Sequence, residues 1–157
     1  MSELPVLEFR RLSPALEPGL SKFFEALVAA GDDKFFHPHP FTATEAARLC
    51  AYTGHDLYYA ATCGDEVRAY GMLRGWDEGY SVPSLGIAVH PAARGQGLAR
   101  SLMLFLHSAA AVRRSPRIRL KVYPHNLAAR TLYERLGYHF GDESGGQLVG
   151  ILSLETR

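Results

Sequence analysis

Residues 85–103 decide the fold: Leu85-Gly-Ile-Ala-Val-His-Pro-Ala-Ala-Arg-Gly-Gln-Gly-Leu-Ala-Arg-Ser-Leu-Met103. An apolar run up to Val89 predicts a strand, a short glycine loop follows at 94–97, and an apolar-periodic helix begins at Leu98. The first N–H groups of a helix point at one spot, at the positive end of the helix dipole, and favour a phosphate there. Glycines admit such a ligand because no Cβ blocks the main chain and because they adopt positive φ freely. The segment therefore predicts a phosphate-binding loop between a strand and a helix.

This loop differs from two common phosphate-binding patterns. It lacks the Gly-Lys-Ser/Thr ending of a Walker A loop and the three-glycine spacing of a dinucleotide-binding fingerprint. Its residues 94–99 read Arg-Gly-Gln-Gly-Leu-Ala. This pattern resembles the Gln/Arg-x-x-Gly-x-Gly/Ala pyrophosphate loop of the GNAT superfamily of N-acetyltransferases, which bind acyl-CoA.

A second motif supports the same resemblance. The family pattern Asn-x-x-Ala-x-x-x-Tyr-x-x-x-Gly-Phe/Tyr is matched here by Asn126, Ala129, Tyr133, Gly137 and Tyr138. The two motifs stand in the family's order and cover about residues 84–141, whereas the N-terminal half agrees only in its order of elements. The resemblance implies one GNAT-like domain over residues 1–157. Its fold would be a mixed α/β (α+β) fold with a mostly antiparallel central sheet, about four helices and a splay between two strands that binds acyl-CoA.

Hydrophobic periodicity predicts eleven elements in the order βααβββαβαββ. Strands are predicted at 6–12, 57–63, 66–74, 80–89, 117–123, 138–141 and 148–154, with turns at Gly64-Asp65 and Gly145-Gly146. Helices are predicted at 16–30, from Thr42 or Thr44 to about 52, from 98 to about 112, and from an Asn126 cap to 136. The third helix is expected to bury one face, made of Leu98, Leu102, Phe105, Leu106 and Ala109.

Composition narrows the class of protein. The chain has 157 residues, of which 47% are hydrophobic and 21% charged, so one domain with a substantial core is expected. The formal net charge of +1 argues against a nucleic-acid binder that works by bulk electrostatics. A basic strip is interpreted mainly as a solvated helix end and the outer face of a strand; it consists of Arg113, Arg114, Arg117, Arg119 and Lys121.

Cysteine usage and the N-terminus bear on location. Cys50 and Cys63 form no Cys-x-x-Cys pair and no disulfide framework, which favours a reduced, cytoplasmic setting. The first residues show neither the basic nor the apolar region of a secretory signal. No apolar run approaches the ~20 residues that a membrane-spanning helix needs. We expect no nucleic-acid partner and no membrane segment.

The resemblance implies a set of residues that bind acetyl-CoA. Ile87 and Val89 would pair through their main chain with the pantetheine amides, and Arg94 would approach the phosphates. The full set is Ile87, Ala88, Val89, Arg94, Gly95, Gln96, Gly97, Leu98, Ala99, Arg100, Asn126, Ala129 and Tyr133. Core packing of the strand side chains and a solvated loop arginine are the alternative interpretations.

Three catalytic candidates follow. Tyr133 is the candidate acid, because a phenol near the thioester could protonate the departing thiolate; a buried structural tyrosine is the alternative. His39 and Glu78 are candidate bases, with a solvated acidic loop as the alternative for Glu78. The strand carboxylate that many relatives carry is missing, since Ser84 and Leu85 stand in its neighbourhood. A water chain to His39 or Glu78 would then take its place.

The loop at 35–41, Phe-Phe-His-Pro-His-Pro-Phe, is the candidate acceptor site. Phe36, His37, His39 and Phe41 could hold a flat or cyclic substrate, and either histidine could act as a base. Three alternatives remain open for this loop: a His-x-His metal site without an evident third ligand, plain core packing, or a dimer contact. No metal is expected.

The function that the resemblance implies is transfer of an acetyl group from acetyl-CoA to a primary amine of a small molecule. Neither cysteine lies in a motif for a covalent acyl relay, so direct attack in a ternary complex is expected. The alternatives are an acyl-CoA-binding regulatory module without turnover and an acetyltransferase for protein N-termini or lysines. A homodimer is possible, since many relatives are dimers.

Overall fold

The computed structural model describes residues 3–154, and its elements follow the predicted order. The strands are β1 (Leu7–Arg11), β2 (Leu57–Cys63), β3 (Glu66–Arg74), β4 (Ser84–Val89), β5 (Arg117–Val122), β6 (His139–Ser144) and β7 (Gln147–Ser153). The helices are α1 (Glu17–Ala29), α2 (Ala43–Cys50), α3 (Leu98–Val112) and α4 (Leu127–Arg135), with short 3₁₀ helices at Pro14–Leu16, Asp32–Lys34 and Pro91–Ala93. In this part of the chain no helix is long and apolar enough to cross a membrane.

The strands form one seven-stranded sheet in the order β1-β2-β3-β4-β5-β7-β6. Every neighbouring pair is antiparallel except β4 and β5, which run parallel. The parallel pair needs a crossover, and α3 supplies it. The predicted fold class, a mixed and mostly antiparallel sheet with four α-helices, is confirmed.

Two hydrophobic cores lie on opposite faces of this sheet. Alternate residues of β3 point to opposite faces, so Tyr70 and Met72 pack beneath α1 and α2 while Ala69 and Leu73 pack beneath α3. Tyr133 and its neighbours on α4 pack against the α3 core. Each face is therefore filled by its own helices, and the middle of the sheet is held from both sides.

Several predicted boundaries differ from the observed ones. The strand predicted at 80–89 begins only at Ser84, because Pro83 has no N–H for a ladder and Tyr80 N instead donates to Gly75 O at 3.0 Å. In α3, Phe105 and Ala109 are half-buried and pack at the edge of the predicted buried face, Phe105 against Phe9 and Tyr59. Met103 and Ala110 also occupy the core.

Candidate active site

The parallel strands β4 and β5 touch at one end only. Ser84 pairs with Arg119, and Arg119 N donates to Pro83 O at 2.9 Å. No further register pair joins the two strands within the described residues 3–154. Beyond Ser84 the sheet therefore opens into a split between β4 and β5.

The free edge of β4 along this split can be assigned from its antiparallel ladder with β3. His90 N donates to Arg68 O at 2.8 Å, directly opposite it in register. Because bonded and non-bonded pairs alternate, the even-numbered residues of β4 exchange hydrogen bonds with β3. Ile87 and Val89 therefore direct their N–H and C=O groups toward the split. Val89 O accepts from the Arg94 side chain at 3.4 Å, and the other three groups have no partner on β5 within residues 3–154.

A groove of about 610 Å³ follows the split, with β4 on one wall and α4 on the other. Eight of the residues expected to bind the donor line it: Ile87, Ala88, Val89, Arg94, Ala99, Asn126, Ala129 and Tyr133. Its lining also includes Leu27, Asp32, Phe35, Phe36, His125, Leu127, Ala128 and Leu132. The two motifs that are distant in sequence thus form facing walls of one groove.

The glycine loop joins Arg94 to Ala99, two residues of the groove lining, although Gly95 and Gly97 themselves do not line the groove. Gly95 and Gly97 have φ of 79° and 78°, and no heavy atom lies within 4 Å of where a Cβ would stand on either residue. Gly97 is the N-cap of α3, whose first N–H groups are without intrahelical partners. The loop therefore offers open main-chain donors at a positive helix end. Leu98 instead faces the core, and Gln96 and Arg100 are exposed off the groove wall.

Arg94 lines the groove, but its guanidinium is already paired. It donates to Asp32, which lies on the other side of the groove in the 3₁₀ helix Asp32–Lys34. A phosphate at this point would meet the carboxylate of Asp32 as well as the guanidinium of Arg94. The main-chain N–H groups of the loop are therefore the unopposed anion donors.

Tyr133 is held on α4 with its ring toward the groove. Its hydroxyl makes no hydrogen bond to another of residues 3–154, and burial raises its pKa to about 12. The hydroxyl is therefore protonated at neutral pH and available as a donor. Asn126 fixes the start of this helix, since its side chain accepts from Ala129 N at 3.4 Å, and Gly137 with φ of 102° ends it.

A second, smaller pocket of about 260 Å³ lies beside the groove, on the α1–α2 face of the sheet. The groove runs along 87–89 of β4 and the pocket along 84–86, and the two share Phe35 and Phe36. The full lining is Phe35, Phe36, His37, Pro38, Met72, Arg74, Ser84, Leu85, Gly86, Arg119, Leu120, Lys121 and Gln147. A ligand in the groove and a second ligand in the small pocket would therefore meet at the middle of β4.

The model of the acetyltransferase (GNAT) family matches residues 24–138 of this sequence, which include both motifs and both pocket walls on β4. The chain belongs to that family. The resemblance carried by the two motifs, and with it the enzyme class of N-acetyltransferases, is confirmed.

Known proteins agree with this family at the level of fold. An acetyltransferase of Sodalis glossinidius is 33% identical over 87 residues, which are 55% of this chain and 60% of that protein. The GNAT domain of S. lividans PAT has a TM-score of 0.78 at 20% identity, covering 97% of each chain. PaiA N-acetyltransferase of Thermoplasma acidophilum, solved in complex with coenzyme A, has a TM-score of 0.72 at 12% identity and covers 94% of this chain and 99% of that one.

The four residues expected at the acceptor site separate in the structure of this GNAT protein. Phe36 and His37 line the small pocket, whereas His39 and Phe41 line neither it nor the groove. His39 Nε2 lies 2.9 Å from Tyr70 Oη and Nδ1 lies 2.7 Å from Pro40 O. Burial among aromatic rings lowers the pKa of His39. Its placement is that of a hydrogen-bonded core histidine, which makes it a poor candidate base.

His37 is better placed for proton transfer. Its Nδ1 lies 3.1 Å from Asp33 O, a carbonyl that can only accept, so Nδ1 carries the proton in the neutral ring. Nε2 is then the basic nitrogen, 3.5 Å from Tyr123 Oη at the edge of the small pocket. A neutral His37 can therefore accept a proton at Nε2.

Glu78 lies just outside the small pocket. It lines an adjoining depression of about 620 Å³ together with Arg74, Ser84 and Arg119. The loop that carries it is anchored by buried Asp56, whose Oδ1 accepts from Gly75 N at 3.0 Å and from Trp76 N at 2.9 Å. Glu78 thus has a fixed loop but an exposed side chain.

Sequence reasoning did not assign several wall residues. Asp32, in the 3₁₀ helix Asp32–Lys34, and His125, in the turn before α4, belong to no motif and reach the groove only through tertiary folding. Arg119 and Lys121 were interpreted as a solvated strand face, although their alternation with buried Ile118 and Leu120 did indicate one shared side. Across the described part of the chain, no group of three His, Cys, Asp or Glu side chains could hold a metal ion.

Proposed function

We propose that this chain transfers an acetyl group from acetyl-CoA to a primary amine of a small molecule, by direct attack in a ternary complex. The observation that carries the proposal is the split between β4 and β5. It leaves the edge of Ile87 and Val89 unpaired and places Tyr133 on the facing wall. An unpaired strand edge is a ready partner for the amides of an extended ligand.

The donor would lie along the groove in one orientation. Its pantetheine amides would pair with the free N–H and C=O groups of β4, and its pyrophosphate would bind the N–H groups of the loop at 94–97. A Cβ at Gly95 or Gly97 would project into space that is now open, which fits a close approach of phosphate to the main chain. The thioester would then lie near Ile87, where a strand N–H can polarise its carbonyl.

The chemistry is an acyl transfer without an enzyme-bound intermediate. The neutral amine nitrogen of the acceptor forms a bond to the thioester carbonyl carbon, and the C–S bond breaks. The sulfur leaves as a thiolate and takes the proton of the Tyr133 hydroxyl, which is regained from solvent. The second product is an amide, after the attacking nitrogen has lost one proton.

We assign that last proton to His37 Nε2, directly or through a water. His37 lines the acceptor pocket, whereas both ring nitrogens of His39 are engaged in the core. Glu78 is the alternative acceptor of this proton, from the adjoining depression. We also place the reaction in the cytoplasm, which is supported by the free thiols of Cys50 and Cys63.

The test combines binding with turnover. In a thermal-shift titration, acetyl-CoA and CoA are expected to raise Tm and ATP is not. At a ligand concentration of 100 Kd, binding adds about 2.7 kcal/mol to the free energy of unfolding. Release of CoA thiol is then followed with a panel of small amines. For Tyr133→Phe we expect kcat to fall about 100-fold, because a general acid contributes that much, with the Kd of acetyl-CoA unchanged.

The control is Tyr59→Phe, which removes a hydroxyl from a half-buried tyrosine on β2 that does not line the groove. It should keep the wild-type kcat. Binding of CoA without release of thiol by any amine would instead support a regulatory acyl-CoA-binding module. Equal losses of kcat and of donor affinity in Tyr133→Phe would make Tyr133 a structural residue.

A further inference from the structure

Three basic side chains line the acceptor pocket, and no carboxylate lines it. Arg74 ends β3, and Arg119 and Lys121 lie on β5. The register places Arg74, Ser84 and Arg119 in one row across β3, β4 and β5. With strands ~4.8 Å apart, the Cα atoms of the two arginines lie about 10 Å from each other, and their side chains point to the same face. Lys121 lies two residues further along β5, on the same face.

These three cations form no ion pair within the described part of the chain, and the nearby carboxylate of Glu78 is exposed in the adjoining depression. The ion pairs among residues 3–154 involve Arg10, Arg48, Arg68, Arg94 and Arg130. Arg74 donates one N–H to Pro38 O at 3.2 Å and lies beside the Tyr58 hydroxyl, and neither of these groups neutralises its charge. Glu45, which interacts with Arg74 at longer range, is bound by Arg48 instead.

We propose that the acceptor amine also carries a carboxylate or phosphate group, which Arg74, Arg119 and Lys121 bind. This inference rests on the proposed acetyl transfer and adds the class of its substrate. Arginine forks match the oxygens of both anions and can bind them through two parallel hydrogen bonds. Arg74 and Arg119 are half-buried, so their charges are less screened than those of a solvated surface.

The position of the cations along β4 limits the length of the acceptor. The thioester lies near Ile87, and the row of the two arginines crosses β4 at Ser84, three residues away. At ~3.3 Å per residue this is about 10 Å along the strand. The amine and the anionic group are therefore separated by at most about 10 Å. The pocket volume of about 260 Å³ also fits a small molecule.

The same charges act on the amine itself. Positive surroundings disfavour the ammonium form and favour the neutral amine, which is the nucleophile. They also oppose any acceptor that brings a second positive charge into the pocket. The three cations thus favour an anionic amine over a diamine in two ways: they bind its anionic group, and they increase the fraction of its amine that is neutral.

The test measures binding separately from turnover. Protein saturated with CoA is titrated calorimetrically with two matched pairs of amines: phosphoethanolamine against ethanolamine, and β-alanine against β-alaninamide. Putrescine serves as the diamine. We expect at least one anionic amine to bind at least about tenfold more tightly than its neutral partner, because charge-assisted hydrogen bonds are strong. Putrescine should have the lowest affinity. The two pairs distinguish a phosphate from a carboxylate.

Three variants assign the preference to the pocket. Arg119→Gln and Lys121→Gln should each lower the affinity ratio of the anionic amine to its neutral partner severalfold. Arg117→Gln is the matched control, because Arg117 lies on the same alternating side of β5 but outside the pocket, and this variant should keep the wild-type preference.

Each outcome has one meaning. The inference is overturned if neutral amines or putrescine bind as tightly as the anionic amines, if no anionic amine binds at millimolar concentration, or if Arg119→Gln and Lys121→Gln both keep the wild-type preference. Failure of the proposed function looks different: the anionic preference stays, but acetyl-CoA transfers its acetyl group to none of the amines that bind.

Discussion

At the scale of single residues, the glycine loop depends on the backbone of Gly97. This residue has φ of 78° and caps α3 without a side-chain bond. For Gly97→Val we expect loss of donor binding, because a β-branched residue disfavours positive φ and its side chain would occupy the space open to phosphate. Calorimetric titration with acetyl-CoA measures this.

Gly64→Val is the matched control for that variant. Gly64 also has positive φ, of 61°, and no heavy atom near its Cβ position, but it lies in the β2–β3 hairpin. Both variants should lose similar stability, about 1–2 kcal/mol, while only Gly97→Val loses donor affinity. Normal acetyl-CoA binding by Gly97→Val would contradict the assignment of the pyrophosphate to this loop.

Prediction from sequence at the scale of residues was confirmed for local backbone conformation. Gly97 and Asn126 act through local conformation, which short motifs encode. His37 and His39 could not be told apart in the same way. They stand two residues apart, each directly before a proline, and only the packing of Phe24 and Tyr70 around His39 decides which ring is buried.

At the scale of elements, α4 must be held correctly for Tyr133 to face the groove. The Asn126 side chain accepts from Ala129 N and satisfies one free donor at the start of this helix. For Asn126→Ala we expect a loss of about 1 kcal/mol of stability together with weaker acetyl-CoA binding, because the groove wall shifts or frays. Chemical denaturation and calorimetric titration measure the two effects.

Thr42→Ala provides the comparison, since it removes the equivalent cap of α2. Glu45 N donates to Thr42 Oγ1 at 3.1 Å, and α2 contributes no residue to the groove. This variant should lose similar stability and keep wild-type donor affinity. If both variants bind acetyl-CoA equally well, the position of α4 does not depend on its cap.

Periodicity predicted these elements because each has a clear apolar pattern and end signals. β2, β3 and α3 have the predicted bounds, since hairpin and helix ends are set by nearby residues. The split between β4 and β5 could not be derived from pattern, because both strands read as ordinary half-buried strands. The role of Arg119 and Lys121 was missed for the same reason: alternation gives the side of the strand and not what covers it.

At the scale of the whole molecule, the structure joins two parts across the split. β1–β4 form one antiparallel run and β5–β7 another, and α3 crosses between them. His107 on α3 lies 2.8 Å from the hydroxyl of Tyr138, whose ring is 6.0 Å from that of Tyr133. This contact therefore ties the crossover helix to the C-terminal strands beside the groove.

The acid stability of the molecule should depend on this contact. Burial lowers the pKa of His107 from 6.5 to about 4. Above pH 6.5 the ring is neutral in both states, whereas between 6.5 and about 4 the unfolded chain binds a proton that the folded chain does not. Acidification through this window therefore destabilises the fold, by about 1 kcal/mol from His107 after allowance for the solvent-exposed part of its ring. His39 contributes in the same direction, because burial lowers its pKa as well.

Between pH 6.5 and about 4, the Tm of His107→Gln should fall by roughly 2–4 °C less than the Tm of the wild type. This difference does not depend on the stability of the variant at neutral pH. Exposed His139 on β6 provides the control, and His139→Gln should follow the wild-type curve. Scanning calorimetry at a series of pH values measures both. Identical acid slopes in all three proteins would mean that His107 titrates alike in the folded and unfolded chain. A reduced slope for His107→Gln alone would identify the α3–Tyr138 contact as a point where acid loosens the wall that carries Tyr133.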